Sequence, residues 1–236
     1  RGFAFGGSVD CNHLQYIAAG SLLSMKETGL FLEPAQSINY VECHDNMTMW
    51  DKLVRSNEES EAILKKRHLL ASAMVILSQG IPFLHAGQEF MRTKYGDHNS
   101  YKSPDSINQM DWLRRAAFNN EVEYMKGLID LRKKYPAFRM TSAEQIKKYV
   151  AFIDVPKNVV AYTIDGKGSG NKNEYFMVAH NANREAVDIT LPSNGPWKVL
   201  VNENQAGSKT LYVVHDNKIK VPALSSLVLK TEKPIK

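Results

Sequence analysis

The hydrophobic pattern of this chain changes period along its length. Ile38, Tyr40 and Val41 form a β-branched and aromatic run that stops at the polar triplet His44, Asp45 and Asn46, as a buried strand over residues 37–43 would at its C-terminal end. Helical spacing dominates on both sides of that run. Leu14, Ile17, Ala18 and Leu22 predict a short helix within 10–23, capped by Asp10. Ile63, Leu64, Leu70, Met74 and Leu77 predict a longer one over 61–78, with Lys65, Lys66 and Arg67 offered to water and Gly80 as its stop. Residues 81–85 are short and apolar and read as a second buried strand, turned by Ala86 and Gly87 into a polar loop too long for an ordinary strand-to-helix connection. A further amphipathic helix over 121–135 ends at Pro136.

Near Thr141 helical spacing gives way to short β-rich runs at 150–155, 159–164, 175–181, 187–191, 197–202, 210–214, 218–221 and 226–230. Asp165-Gly166, Gly168-Ser169-Gly170, Asn194-Gly195-Pro196 and Asp216-Asn217 break them with residues suited to turns. So many short strands predict an antiparallel β-sandwich over 142–236, after an α/β region over 1–141.

Composition adds little to that picture. The chain has 236 residues, of which 43% are hydrophobic, ample for a core. The formal charge of +5 is modest, its basic residues fall in short groups on helix-like segments, and no nucleic-acid motif accompanies them. No segment approaches the roughly twenty apolar residues of a membrane span. Secreted, cell-surface and cytoplasmic locations all remain open. Cys11 and Cys43 are too few for a disulfide framework and default to structural thiols. A nucleophilic pair of Cys43 with His44 is disfavoured, because neighbours on a strand point to opposite faces.

Candidate chemistry collects at two places. Asp45 would sit at the rim of a cleft beside His44; the alternative is a simple turn, since Asp and Asn bond their own backbone. The loop after Gly80 carries Arg92, Asp97, His98, Asn99, Tyr101 and Asp105, a mixture of planar donors, acceptors and an aromatic ring that suits sugar hydroxyls and sugar faces. Arg92, Asp97 and His98 fit loop scaffolding equally well and are kept out of the candidate site. Asp97-His98-Asn99 has no spacing that separates a metal site from a polar turn, so no metal ligand is assigned. Glu42 is expected to point into the helix layer and Glu89 to anchor its own turn.

The run INYVECHDNMTMWDKL from Ile38 to Leu53 resembles the fourth conserved region of the α-amylase family of glycoside hydrolases. Within that family it is most similar to the type I pullulanase branch, where an HDN, T, WDK pattern follows the seventh barrel strand. The run GIPFLHAGQEFMRTKYGDHNSYKSPDSINQMDW from Gly80 to Trp112 resembles the same branch independently. The resemblance implies that residues 1–141 are the C-terminal part of a (β/α)8 TIM barrel, strands 7 and 8 with their helices. The first six strands are then expected upstream, consistent with a chain that opens on RGFAFGG without an initiating Met.

The implied activity is retaining hydrolysis of α-1,6 branch linkages in pullulan, starch or glycogen-derived dextrins. Such enzymes use a nucleophile and an acid/base about 5 Å apart. In the family both lie on earlier strands, outside this chain, so the chain alone is expected to be inactive. Asp45 matches the third family carboxylate, which binds hydroxyls of the reacting sugar and helps distort it. His44 would donate to the same sugar, and Asp105 resembles the carboxylate that binds the adjoining glucose. Many relatives place an Arg four residues after that carboxylate; Gln109 stands there and puts the paired contact in doubt. Asn99 and Tyr101 would line the same subsites. The expected partners are an α-glucan and the upstream barrel half, with no required cofactor; calcium accompanies many relatives, and nothing in the sequence locates it. A non-catalytic α-glucan-binding fragment and an α-1,4-acting hydrolase remain the alternatives.

Overall fold

The computed structural model describes residues 2–7, 9–26, 29–171 and 173–235. A first helix, α1 (Cys11–Ala18), begins at Asp10, whose carboxylate accepts the Asn12 amide at 2.9 Å. It is shorter than the apolar spacing predicts, because Gly20 and Ser21 both take left-handed backbone and turn the chain. Strand β1 (Ile38–Asn39) follows. Two helices, α2 (Met49–Ser56) and α3 (Glu61–Leu77), then lead to β2 (Ile81–Pro82), which lies parallel to β1 with Ile38 opposite Ile81.

The expectation of a buried strand over 37–43 is corrected here. Only two residues pair, and Ile38 and Tyr40 are each 58% exposed. A parallel strand is buried by neighbours on both edges and helices on both faces; among the described residues β1 pairs with β2 alone. Tyr40 instead meets Phe83 edge-on at 6.0 Å. The second predicted strand likewise pairs only over Ile81–Pro82.

Helix α3 also departs from its expected face. Arg67 is 3% exposed rather than solvated, with its guanidinium in a two-point bond to Glu59. Helix α3 packs on α2, on the strand Ser225–Thr231 and on the long helix Asn119–Lys134, so little of its circumference is left for water. After β2 the loop carries two short helices, α4 (Asp105–Asn108) and α5 (Trp112–Ala117), and then α6 (Asn119–Lys134), which ends before the Pro136–Arg139 turn as Pro136 predicts. Arg132 of α6 is buried and donates to the carbonyls of Ile76, Ser78, Phe138 and Gly80 at 2.7–2.8 Å. It thereby satisfies the free carbonyl end of α3, and desolvation lowers its pKa to about 10.

Helix α7 (Ala143–Tyr149), opened by a Ser142–Gln145 capping box, hands the chain to the β-rich part. Strands β3 (Val150–Phe152), β4 (Val159–Asp165), β5 (Tyr175–Asn181), β7 (Trp197–Val201), β8 (Tyr212–Val214) and β10 (Ser225–Thr231) form one antiparallel sheet in the order β3-β4-β5-β10-β7-β8. Strands β6 (Val187–Thr190) and β9 (Lys218–Val221) pair separately. Every residue of β5 is buried because both faces of the large sheet are covered. Val160, Tyr162, Phe176, Val178 and Val228 join the helical core, while Ala161, Met177, Leu227 and Leu229 pack with Ile189, Ile219 and Val221 of the smaller sheet.

Candidate active site

The parallel pairing of β1 and β2 sends both exits to the same edge, and buried side chains tie them together there. Glu42, 5% exposed, accepts the Met49 amide at the start of α2 and faces Nδ1 of His85, beyond β2, at 3.3 Å. A carboxylate at a helix N-terminus is favoured by the free amides and the helix dipole. Glu42 therefore points toward the helix layer as expected, and Glu89 accepts the Gly87 amide at 3.0 Å, anchoring its own turn.

Between Glu42 and α2 the chain bends at 44–46, with Asn46 left-handed at φ 64°. The turn chemistry is real, yet it leaves the two candidate side chains outside. Those of His44 and Asp45 are 82% and 72% exposed, with Nε2 and Oδ1 3.6 Å apart. The Cys43 thiol hydrogen-bonds the Asp45 carbonyl at 3.6 Å, so it serves the bend.

The second motif is brought to this bend by groups that sequence reading passed over. Asp51 of α2, 6% exposed, accepts the Thr93 hydroxyl and, at 2.8 Å, the Lys94 amide. Lys94, 5% exposed, turns its ammonium to the His44 carbonyl at 3.3 Å and the Ser100 hydroxyl at 2.7 Å. Ser100 separates Asn99 from Tyr101, both exposed, and its carbonyl receives Asn108 Nδ2 at 2.7 Å from α4, whose first residue is the exposed Asp105. All five candidates thus hang from one hydrogen-bonded frame. Asp97 belongs to the frame: bonds from the Ser103 hydroxyl and the Asn99 amide hold its carboxyl below the ordinary range. Arg92 donates to the carbonyls of Asn108 and Ala86, which also makes it scaffold.

The arrangement offers an exposed carboxylate, an imidazole and an aromatic ring to an external ligand. Two clefts of about 660 and 750 Å³ lie elsewhere, the first beside Glu59, Arg67 and Arg184, the second apolar and bordered by Leu14, Phe31 and Tyr40. Among the described residues no group of three or more His, Cys, Asp or Glu is gathered to hold a metal ion.

Comparisons with known proteins give the frame a family. A model of the pullulanase all-beta domain matches residues 146–205. The Bacillus subtilis pullulanase is 40% identical over 200 residues, which cover 84% of this chain and 28% of that protein. The pullulanase structure from Bacillus acidopullulyticus superposes with a TM-score of 0.92 at 39% identity, covering 98% of this chain and 28% of that one. A Paenibacillus barengoltzii pullulanase, in complex with maltohexaose and alpha-cyclodextrin, gives 0.90 at 41% identity, covering 99% and 36%. The class is therefore an α/β region joined to the all-β domain of a pullulanase. The chain belongs to the pullulanase family, and it spans about 28% of the length of the curated Bacillus subtilis relative.

Proposed function

We propose that this chain supplies one side of the substrate site of a retaining glycoside hydrolase that cleaves α-1,6 branch linkages in pullulan, starch or glycogen dextrins. Asp45 is its transition-state-stabilising carboxylate, and His44, Asn99, Tyr101 and Asp105 bind sugar. The observation that carries the reading is the single frame joining both motif segments through Lys94, with the Asp45 carboxylate left exposed. An exposed carboxylate can accept sugar hydroxyls, and bonds that strengthen as the ring flattens toward an oxocarbenium ion lower the barrier. The Tyr101 ring, 74% exposed, is free to stack on a pyranose face.

On this reading β1 and β2 are strands 7 and 8 of a (β/α)8 barrel within 1–141, followed by a sandwich domain over 142–236. The remaining strands, with nucleophile and acid/base, come from sequence outside these residues. The exposed Ile38 and Tyr40 and the apolar cleft of about 750 Å³ beside them are the surface on which that half packs. No calcium ligand is assigned.

The test is Asp45→Asn in the full-length enzyme. Loss of interactions worth several kcal/mol in the transition state should lower pullulan turnover roughly 100-fold or more. Unaltered hydrolysis rejects the role, and panose in place of maltotriose as product rejects the linkage in favour of α-1,4 cleavage. A second reading, a non-catalytic α-glucan-binding piece, draws on the fact that the near partner of Asp45 is a histidine, not a second carboxylate. Both readings expect this chain, assayed alone, to hydrolyse no pullulan; full-length Asp45→Asn separates them.

A further inference from the structure

We propose that Lys94 is a positioning residue that locks the His44-Asp45 bend to the loop carrying Asn99 and Tyr101. The inference rests on the reading that Asp45 meets substrate. Its ammonium lies in a buried position between two neutral acceptors, the His44 carbonyl on one motif segment and the Ser100 hydroxyl on the other. Burying an ammonium is costly and neutral acceptors recover that cost poorly; Asp97, whose carboxyl feels the Lys94 charge, offsets part of it. A methionine would fill the same volume at lower cost, so packing alone does not explain a lysine. What the charge adds is a donor with one bond to the peptide preceding Asp45 and one to the Ser100 hydroxyl. Asp51 holds the Lys94 backbone amide at 2.8 Å, so the ammonium is aimed from a fixed base. If the bend slides relative to the loop, the Asp45 carboxylate and the Tyr101 ring no longer address one sugar chain in register. A misplacement of about 1 Å at a reacting sugar can cost roughly 100-fold in rate.

The experiment uses the full-length enzyme that contains this chain. Lys94→Ala opens a space shaped for an alkylammonium, whereas Lys94→Met keeps it filled without charge. Pullulan turnover should fall roughly 10- to 100-fold in both, mainly in kcat, with KM changed less than about threefold. n-Propylammonium should restore Lys94→Ala saturably and leave Lys94→Met unchanged, and 1-propanol should restore neither. A merely structural lysine would not give rescue that depends on the amine charge. The proposal is overturned by kcat within about twofold of wild type in either folded variant. Activity loss without amine rescue, rescue by 1-propanol, or failure of both variants to fold overturns it equally. Asp45→Asn, run alongside, separates the two ideas: if it is active, the substrate reading falls; if it is inactive while the Lys94 variants are active, only this proposal falls.

Discussion

Glu59 joins the helical and β-rich parts of the chain, and removing its charge tests how much that joint contributes. Its carboxylate takes Arg67 Nε at 2.6 Å and Nη2 at 2.8 Å, while Arg184, from the turn between β5 and β6, donates to the same Oε1. The third arm of Arg67 reaches the Ala4 carbonyl at 3.0 Å. The hydrogen bond from Arg67, then that from Arg184, lowers the Glu59 pKa from 4.5 to about 2 against the opposing effect of burial. Taken whole, that displacement converts to about 3 kcal/mol at ~1.4 kcal/mol per pH unit. The group faces an open cleft and the Arg184 side chain is 61% exposed, so solvent screening reduces the figure to about 1–2 kcal/mol. Because the folded value lies below the unfolded one, the stabilisation is complete above about pH 4.5 and is lost as pH falls through 2. Urea unfolding of wild type and Glu59→Gln should differ by about 1–2 kcal/mol at pH 7, and the gap should shrink by about half by pH 3. A gap of equal size at pH 7 and pH 3 refutes the reasoning. Adding Arg67→Met to Glu59→Gln should recover part of the loss, since it removes the buried charge left unpaired.

Arg132→Met should leave four carbonyls, three of them buried, short of a donor and lower stability by about 3 kcal/mol or more, read as a drop in Tm by calorimetry; an unchanged Tm would show that water replaces the guanidinium. Gly127→Ala tests the seat of α6 on the loop after β7, because an added Cβ would stand 1.9 Å from the Ala206 carbonyl oxygen. Helix propensity alone favours Ala by about 1 kcal/mol, so the sign decides: destabilisation in urea supports the close approach, and stabilisation rejects it.

The β-rich part was legible in sequence because its strands carry their own boundaries. Predicted ranges 175–181 and 218–221 match β5 and β9 to the residue, and the other six differ by a few residues at their ends. Continuous apolar runs such as 159–164 arise where both faces of a sheet are covered, and turn residues punctuate them. The burial of β1 was misread for the complementary reason: it depends on neighbouring strands, and no property of Ile38 or Tyr40 reports whether they are there. Helices α2, α5 and α7 are six to eight residues long and offer at most about two turns of apolar period; α1 is as short, and only the apolar positions beyond its end, to Leu22, lengthen its signal. Ser142 with Gln145, and Thr48 capping the Asp51 amide, were their visible starting signals. Charge alone assigns Arg67 to water, and its partner Glu59 lies eight residues away, outside helical neighbour spacing.

The same division runs through the candidate site. His44, Asp45, Asn99, Tyr101 and Asp105 were readable as surface polar groups, whereas Glu42, Asp51 and Lys94 bond across 43, 43 and 50 residues through His85, Lys94 and His44. No local pattern predicts such pairings. Three carboxylates fall within ten residues, and the fold treats them differently. Glu42 is committed to the first turn of α2 and to His85, and Asp51 to Thr93 and the Lys94 amide. Both are buried acceptors whose oxygens are already engaged, so neither can turn to a ligand without releasing the frame. Asp45 stands between them with its oxygens toward solvent and a histidine 3.6 Å away. The buried pair fixes where the bend lies, and that leaves the third carboxylate open to solvent, as the proposed sugar contact requires.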